Sequence, residues 1–155
     1  MELVMSKPAD KITIMVVDDQ ADFRDFLVSY LEGEGFHVVQ AEAGGDALEL
    51  IGATRPHLVL LDVMMPDKNG YDVCRDIKSS AATADIPIIF VTAKTGLSDK
   101  LAGYISGGQR YLCKPFELSE LDECIRAVLR QQNIRLNQLN NDFKPDSAGP
   151  SETAN

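Results

Sequence analysis

Short apolar runs alternate with amphipathic segments along most of this chain. Runs rich in Val, Ile and Leu are typical of strands buried on both faces of a parallel sheet, and apolar residues three and four positions apart are typical of half-buried helices. The predicted strands are Ile12–Val17, Phe36–Ala41, Leu58–Leu61, Pro87–Thr92 and Tyr111–Cys113. The predicted helices are Asp22–Glu34, Asp46–Ala53, Gly70–Ser79, Leu97–Ile105 and a last one beginning near Leu118. The apolar stripe of the first helix consists of Phe23, Phe26, Leu27, Tyr30 and Leu31.

Five strands that alternate with five helices predict an α/β fold with a doubly wound parallel sheet and helices on both faces. Of the two common doubly wound strand orders, the flavodoxin-like order 2-1-3-4-5 suits a five-stranded chain. In that order the first and third strands are neighbours at the switch point. Ligands of such folds bind there, beyond the carboxyl ends of the strands.

Polar residues end or directly follow four of the predicted strands. They are Asp18 and Asp19 after the first, Asp62 after the third, Thr92 at the end of the fourth and Lys114 after the fifth. Three carboxylates at one edge repel one another, so leaving all of them ionised requires a cation. Oxygen ligands suit Mg²⁺, which usually takes only one or two carboxylates. A carboxylate that is not required as a metal ligand can act as a nucleophile toward phosphorus. Positioning and charge neutralisation by metal, ammonium and hydroxyl are what phosphoryl transfer needs.

Each of these residues also has an ordinary structural interpretation. The aspartates at 18 and 19 could cap the first helix, and Asp62 could be a turn residue. Thr92 could be a plain β-branched strand residue and Lys114 a solvated loop lysine. All of these interpretations would have to hold together at the edge where ligands bind, and we therefore favour the functional one.

Four motifs identify a family resemblance. They are Val-Val-Asp-Asp (Val16–Asp19), Leu-Asp-Val-Met-Met-Pro (Leu61–Pro66) with Gly70, Val-Thr-Ala (Val91–Ala93) and Tyr-Leu-Cys-Lys-Pro-Phe (Tyr111–Phe116). Over about Lys11–Gln131 the chain resembles the receiver domain of the two-component response-regulator family. The resemblance implies a phosphorylation-activated signalling switch that receives its phosphoryl group from a sensor histidine kinase or a histidine phosphotransfer protein.

The resemblance also assigns roles to residues. It makes Asp62 the phosphoacceptor, with Mg²⁺ held by Asp18, Asp19, Asp62 and the backbone carbonyl of Met64. Thr92 would bond a phosphoryl oxygen and Lys114 would pair with it, while Tyr111 would be the aromatic residue that moves inward on activation. The Lys114-Pro115 peptide bond is expected to be cis, which proline tolerates at a cost of about 0.5–1 kcal/mol.

The chain departs from the family pattern at two places. Gly107-Gly108-Gln109-Arg110 stands where an acidic residue often precedes the aromatic one, which changes the charge on the face commonly used for output. Lys94, two residues after Thr92, adds a cation at the rim of the pocket. Partners and phosphate lifetimes known for other family members therefore do not transfer directly.

Composition limits the other possibilities. A net charge of −9 disfavours direct nucleic-acid binding, which rests on clustered basic residues. Every apolar run is far shorter than the span of about 20 residues that crosses a membrane. Three widely spaced cysteines favour a reducing, cytoplasmic setting over a disulfide framework or a zinc site. We expect a polar leader at 1–10, a receiver domain at 11–131, and a helix extension with a disordered tail at 132–155.

Two alternatives remain, a phosphorylation-independent pseudo-receiver that only binds proteins, and a haloacid-dehalogenase-like phosphohydrolase. The first would lack a key acid or the lysine, and the second needs an acid where Met64 stands. We therefore expect the protein to catalyse no reaction other than its own phosphorylation and dephosphorylation. The apolar stripe of the last helix continues past Gln131 through Leu136 and Leu139. This extension could be a frayed helix end, or it could pair with a partner helix or with a second copy in a phosphorylation-linked homodimer. The downstream partner would be a protein target or an output domain.

Overall fold

Strands and helices alternate throughout the part of the chain that the structure describes. The computed structural model describes residues 11–142, with side chains up to residue 133. The strands are β1 (Thr13–Val17), β2 (His37–Ala41), β3 (Leu58–Leu61), β4 (Ile88–Thr92) and β5 (Arg110–Cys113). The helices are α1 (Ala21–Gly33), α2 (Gly44–Thr54), α3 (Gly70–Ser79), α4 (Leu97–Ser106) and α5 (Leu118–Asp142).

The five strands form one parallel sheet in the order β2-β1-β3-β4-β5, which confirms the predicted fold class. Val17 pairs with Leu61 between β1 and β3, so the residues that follow these strands emerge side by side. Thr92 pairs with Cys113 between β4 and β5, which brings the residue after β5 to the same edge. The register therefore fixes which side chains meet at the carboxyl edge of the sheet.

The core consists of two apolar layers, one on each face of the sheet. On one face, Ala47 and Ile51 of α2 and Val73 and Ile77 of α3 pack against the strands. On the other face, α1 and α5 supply Leu27, Leu31, Leu121, Ile125 and Val128. All four residues of β3 are buried because this central strand is covered on both faces.

The apolar stripe of α1 is only partly buried. Leu27 and Leu31 are 1% exposed, whereas Phe26 is 47% exposed. Phe23 and Tyr30 are partly buried at the margin of the α1–α5 layer. A stripe this wide exceeds the face that a helix can hide against a sheet, so its edges reach solvent.

Helix α2 begins two residues before the predicted start at Asp46. Its N-cap residue, Ala43, has no side chain that could accept a hydrogen bond from the first turn. Instead, Asp67 accepts hydrogen bonds from the amides of Gly44 and Gly45, at 3.0 and 2.9 Å. The cap of this helix thus comes from the loop between β3 and α3.

Helix α5 continues beyond Gln131 to Asp142. The side chain of Gln132 donates a hydrogen bond to the carbonyl of Asp85, 2.8 Å away, and so ties α5 to the segment before β4. The predicted leader at 1–10 and the tail after residue 142 lie outside the described residues, and the division of the chain at 131 stays a prediction. Within residues 11–142, no helix combines the length and the apolar character that crossing a membrane demands.

Gly70 allows the loop after β3 to turn back on itself. Its amide donates to the carbonyl of Val63 at 2.8 Å, and a Cβ at this position would lie 2.2 Å from the carbonyl oxygen of Asp62. Because that neighbour is backbone, a side chain here must displace the loop. We expect Gly70→Ala to lower the free energy of unfolding by about 1–3 kcal/mol, as overpacking does. Urea unfolding followed by circular dichroism measures this loss.

The matched control is Gly52→Ala. Gly52 lies inside α2, and a Cβ there has nothing within 4 Å. Removing glycine from an open helix interior should raise the free energy of unfolding by about 0.5–1 kcal/mol. Equal effects of the two substitutions would contradict the close approach of the loop at Gly70.

Candidate functional site

The carboxyl edge of the sheet gathers three carboxylates. Asp18 follows β1 and Asp62 follows β3, and an oxygen atom from each of Asp18, Asp19 and Asp62 lies within 4.8 Å of the others. Asp18 and Asp62 are 2% and 6% exposed, while Asp19 is exposed. Asp18 also accepts a hydrogen bond from the Gln20 amide, so it shapes the turn into α1 without capping the helix itself.

Lys114 supplies the positive charge that balances this cluster. Its Nζ donates a hydrogen bond to Asp18 Oδ2 at 2.8 Å and lies 3.7 Å from Asp62 Oδ2. The side chain is 16% exposed, so much of its hydration is replaced by protein contacts. One ammonium group against three carboxylates leaves the cluster negatively charged. Oxygen ligands of this type and charge fit a divalent metal ion.

The pKa of Asp62 is raised above that of an ordinary aspartate, chiefly because the carboxyl is buried. Lys114 opposes the rise and the neighbouring Asp18 adds to it. The amides of Val63 and Met64 point at Asp62 Oδ1, at 2.7 and 3.4 Å, and stabilise its charge in part. The ionised form of Asp62 is therefore held at a cost that additional positive charge would relieve.

An open cleft of about 760 Å³ leads to these groups. Its lining includes Asp19, Asp62 and Lys114 together with Thr92 and Met64. Thr92 is buried, and its hydroxyl accepts a hydrogen bond from the Lys94 amide at 3.3 Å. The side chain of Met64 is 58% exposed at the mouth. The structure thus brings together all the residues that the sequence predicted for the phosphoryl and metal site.

Tyr111 lies behind the cleft and does not line it. Its hydroxyl donates to the carbonyl of Lys94 at 2.9 Å, and its ring lies 5.8 Å from that of Phe90. Burial raises the pKa of Tyr111, and the nearby Tyr71 hydroxyl adds to the rise. The Lys94 side chain lies 4.0 Å from Asp99 at the rim.

The Lys114-Pro115 peptide bond is cis, as predicted.

Three contacts at the site were not predicted. Arg24 donates to the carbonyl of Asp18 at 2.7 Å, and Tyr71 donates to the carbonyl of Asp99 at 2.9 Å. Asp67 holds the loop after β3 against α2, and the two amides that it binds lower its pKa. The sequence contains a signal for two of these contacts, because Tyr71 directly follows Gly70 and Asp67 directly follows Pro66. Nothing in the local pattern marked Arg24.

The sequence matches the family model of the response regulator receiver domain over residues 14–126, more than half of the 155-residue chain. This chain belongs to the response regulator receiver domain family. Two relatives are response regulator MprA from Mycolicibacterium vanbaalenii and DNA-binding response regulator MtrA from Mycolicibacterium paratuberculosis. Each is 42% identical over 120 residues, which cover 77% of this chain and 51% and 52% of those proteins. The receiver chain therefore spans about half the length of these curated relatives.

Solved structures agree with this assignment. A two-component response regulator from Clostridium difficile matches with a TM-score of 0.75 at 28% identity and covers 79% of this chain and 99% of that one. A CheY-like receiver domain protein from Methanospirillum hungatei matches with a TM-score of 0.76 at 26% identity and covers 81% and 98%. The receiver fold is thus shared over nearly the whole of both solved chains.

Family membership bears on the alternative interpretations of the acidic cluster. Receiver domains are generally signalling switches rather than enzymes that turn over a substrate. No finding favours a phosphohydrolase, and Met64 stands where that mechanism needs a second acid. No finding favours a pseudo-receiver either, since the three acids lie within 4.8 Å of one another and Lys114 contacts two of them.

The raised pKa of Asp62 predicts how stability depends on pH. The folded protein holds the Asp62 proton more tightly than the unfolded chain does. In the unfolded chain the carboxyl has the ordinary aspartate pKa of about 3.9. The stability that the Asp62 carboxyl contributes is complete at pH values below its pKa in the unfolded chain. It is lost as the pH rises through its pKa in the folded protein. Without divalent ions, we expect Asp62→Asn to be more stable than the wild type at pH 7, and the gain to shrink toward pH 4. Urea unfolding across this pH range measures it.

Asp25→Asn is the control for this experiment. Asp25 is an exposed acid on α1. Its replacement should change the free energy of unfolding by less than about 0.5 kcal/mol at either pH, as surface substitutions usually do. A loss of stability in Asp62→Asn at pH 7 would contradict the cost assigned to the buried carboxylate.

Proposed function

We propose that this receiver accepts a phosphoryl group on Asp62 from a sensor histidine kinase or a histidine phosphotransfer protein. The observation that carries the proposal is the contact of Lys114 with both buried carboxylates, at 2.8 Å from Asp18 and 3.7 Å from Asp62. In the reaction an oxygen of Asp62 forms a bond to phosphorus while the bond from phosphorus to the donor imidazole breaks. The products are an acyl phosphate and a free histidine.

Mg²⁺ is the metal that suits this chemistry. Asp18, Asp19 and Asp62 would hold it together with the backbone carbonyl of Met64, since hard oxygen ligands and retained waters are what Mg²⁺ prefers. When bound, the ion supplies positive charge next to the incoming phosphoryl group. The fit rests on the closeness of the three carboxylates, on their excess of negative charge and on the open cleft above them.

The protein's own residues do the remaining work. Lys114 is near enough to Asp62 to pair with a phosphoryl oxygen after a short movement. Thr92 is buried at the end of β4, where its hydroxyl oxygen accepts a hydrogen bond from the Lys94 amide, and its O–H would donate to an oxygen of the phosphoryl group. The phosphoryl group adds a charge of about −1.5 to −2 at neutral pH, and these two residues would bind its oxygens.

Activation would then shift the population between two arrangements of the loop after β4. Movement of Thr92 changes the loop whose Lys94 carbonyl binds the Tyr111 hydroxyl, so Tyr111 and α4 would respond. Four large apolar side chains on α4 support a readout by protein contact: Leu97, Leu101, Tyr104 and Ile105 are 75%, 51%, 49% and 80% exposed.

The partner on this face would be a downstream protein target, an output domain or a second copy of the chain. Receiver domains generally work with histidine kinases and output domains, and one relative is named a DNA-binding response regulator. With a net charge of −9, this chain would not itself bind nucleic acid. Three free cysteines at 74, 113 and 124 suit a cytoplasmic setting.

Labelling with a small acyl phosphate tests the phosphoacceptor. We expect one phosphoryl group per chain, attached to Asp62, in the presence of Mg²⁺ and only background labelling with a chelator. Asp62→Asn should abolish labelling, because the amide oxygen is a poor nucleophile. Asp19→Asn should raise the Mg²⁺ concentration needed for half-maximal labelling. Intact-protein mass spectrometry measures the stoichiometry, and peptide mapping measures the site.

The control is again Asp25→Asn, which should be labelled like the wild type because Asp25 is exposed on α1 and does not line the cleft. Stoichiometric labelling of Asp62→Asn would exclude Asp62 as the phosphoacceptor. Repeated turnover of the phosphodonor beyond one equivalent within the labelling time would instead favour a hydrolase.

Replacement of Thr92 tests the switch. A hydrogen bond to a charged group is worth about 1.5–3 kcal/mol, so Thr92→Ala should weaken the bias toward the activated arrangement by about tenfold or more. We expect this variant to be labelled on Asp62, yet to lose most of the phosphorylation-dependent amide shifts of Tyr111 and α4. Two-dimensional NMR of the labelled and unlabelled protein measures these shifts.

Thr92→Ser keeps the hydroxyl and is the matched control. It should retain the phosphorylation-dependent shifts of the wild type. If Thr92→Ala shows the same shifts as Thr92→Ser, the hydroxyl does not couple the phosphoryl group to Tyr111.

A further inference from the structure

The ammonium group of Lys114 has a contact that its two carboxylate partners do not explain. Its Nζ lies 4.0 Å from the centre of the Phe23 ring. This is within the ~6 Å at which an aromatic ring face attracts a cation. The lysine is 16% exposed, so water competes only weakly for the ammonium group. The contact is therefore placed where an attraction between cation and ring is strong.

Phe23 is in contact with two groups of the segment that follows β5. It lies in the first turn of α1, and its ring meets that of Phe116 edge to face, with centres 6.1 Å apart and planes at 86°. Phe116 follows Lys114 by two residues, so the segment after β5 touches Phe23 through both a ring and an ammonium group. This arrangement fixes the ring relative to the lysine backbone and leaves the ammonium group as the part that can move.

The ring also differs from the other partners of Lys114 in kind. Asp18, at 2.8 Å, is a buried charge that could hold the ammonium group away from Asp62, which is 3.7 Å distant. A ring face attracts the cation without directing any one of its N–H bonds. The ammonium group can therefore turn from Asp18 toward a group on Asp62 while it stays on the ring.

We propose that Phe23 is a positioning residue for Lys114, which keeps the ammonium group at the phosphorylation site while its hydrogen bonds change partner. This inference rests on the proposed function of Asp62 and Lys114. It assigns to α1 a share in phosphoryl transfer beyond the two aspartates that precede it. An apolar residue that merely fills the core would need no particular electron distribution in its ring, and this difference can be measured.

A series of fluorinated phenylalanines at position 23 tests the proposal. Fluorine atoms withdraw electrons from the ring face and weaken its attraction for a cation, with little change in size. The rate of Asp62 labelling by a small acyl phosphate with Mg²⁺ should fall stepwise from Phe to monofluoro-, difluoro- and trifluorophenylalanine. The last should be about two- to fivefold slower than Phe, from the usual strength of such contacts. Phe23→Leu, which keeps an apolar side chain, should be slowed at least as much.

The same series at Phe26 is the control. Phe26 lies on the same helix, is 47% exposed and has a ring neighbour in Phe23 but no cation over it among the described residues. Its series should leave the rate unchanged. Circular dichroism and urea unfolding establish that each variant is folded.

A rate that stays level or rises along the series at position 23 would overturn the proposal, as would an equal decline at position 26. In either case Asp62 would still be labelled in the wild-type chain, and the proposed function would stand. Failure of the wild type to be labelled at Asp62 would instead remove the proposed function, and the inference with it.

Discussion

One ammonium group makes two buried carboxylates at adjacent strand ends tolerable. Asp18 and Asp62 would repel each other strongly without it, and burial already raises the pKa of Asp62. Lys114 reaches them from the far side of β4, because the order β2-β1-β3-β4-β5 brings three strand ends to one edge. The remaining negative charge is what suits the site to a divalent metal ion. The burial of the two carboxylates and their fit to a metal ion thus depend on the same charge balance.

The fold and the predicted site residues could be read from the sequence because both depend on strand ends. Leu58–Leu61 is a continuous apolar run, and in the structure all four residues are buried. Such runs mark central parallel strands, and the crossover rules leave few strand orders. Asp62, Thr92 and Lys114 end strands or follow them directly, so the sheet register alone brings them together.

The remaining contacts depend on pairs that lie far apart in the sequence. Asp67 caps α2 from a loop well beyond that helix and the strand after it, so local capping rules set the start of α2 too late. Phe23 and Phe26 belong to one apolar stripe, yet one ring lies against a lysine and the other is exposed. Helical periodicity shows only that apolar side chains share one face of the helix. It carries no information about whether the neighbour of a side chain is a methyl group or a cation.

Helix α5 joins the two edges of the sheet. It starts at Leu118, shortly after Lys114, and runs for 25 residues. At the usual rise per residue it is a rod about 37 Å long. The hydrogen bond from Gln132 to the carbonyl of Asp85 ties this rod to the segment before β4, partway along its length. Leu121, Ile125 and Val128 hold the same helix against one face of the sheet. The phosphorylation edge and the opposite edge are therefore joined by one continuous helix as well as by the strands.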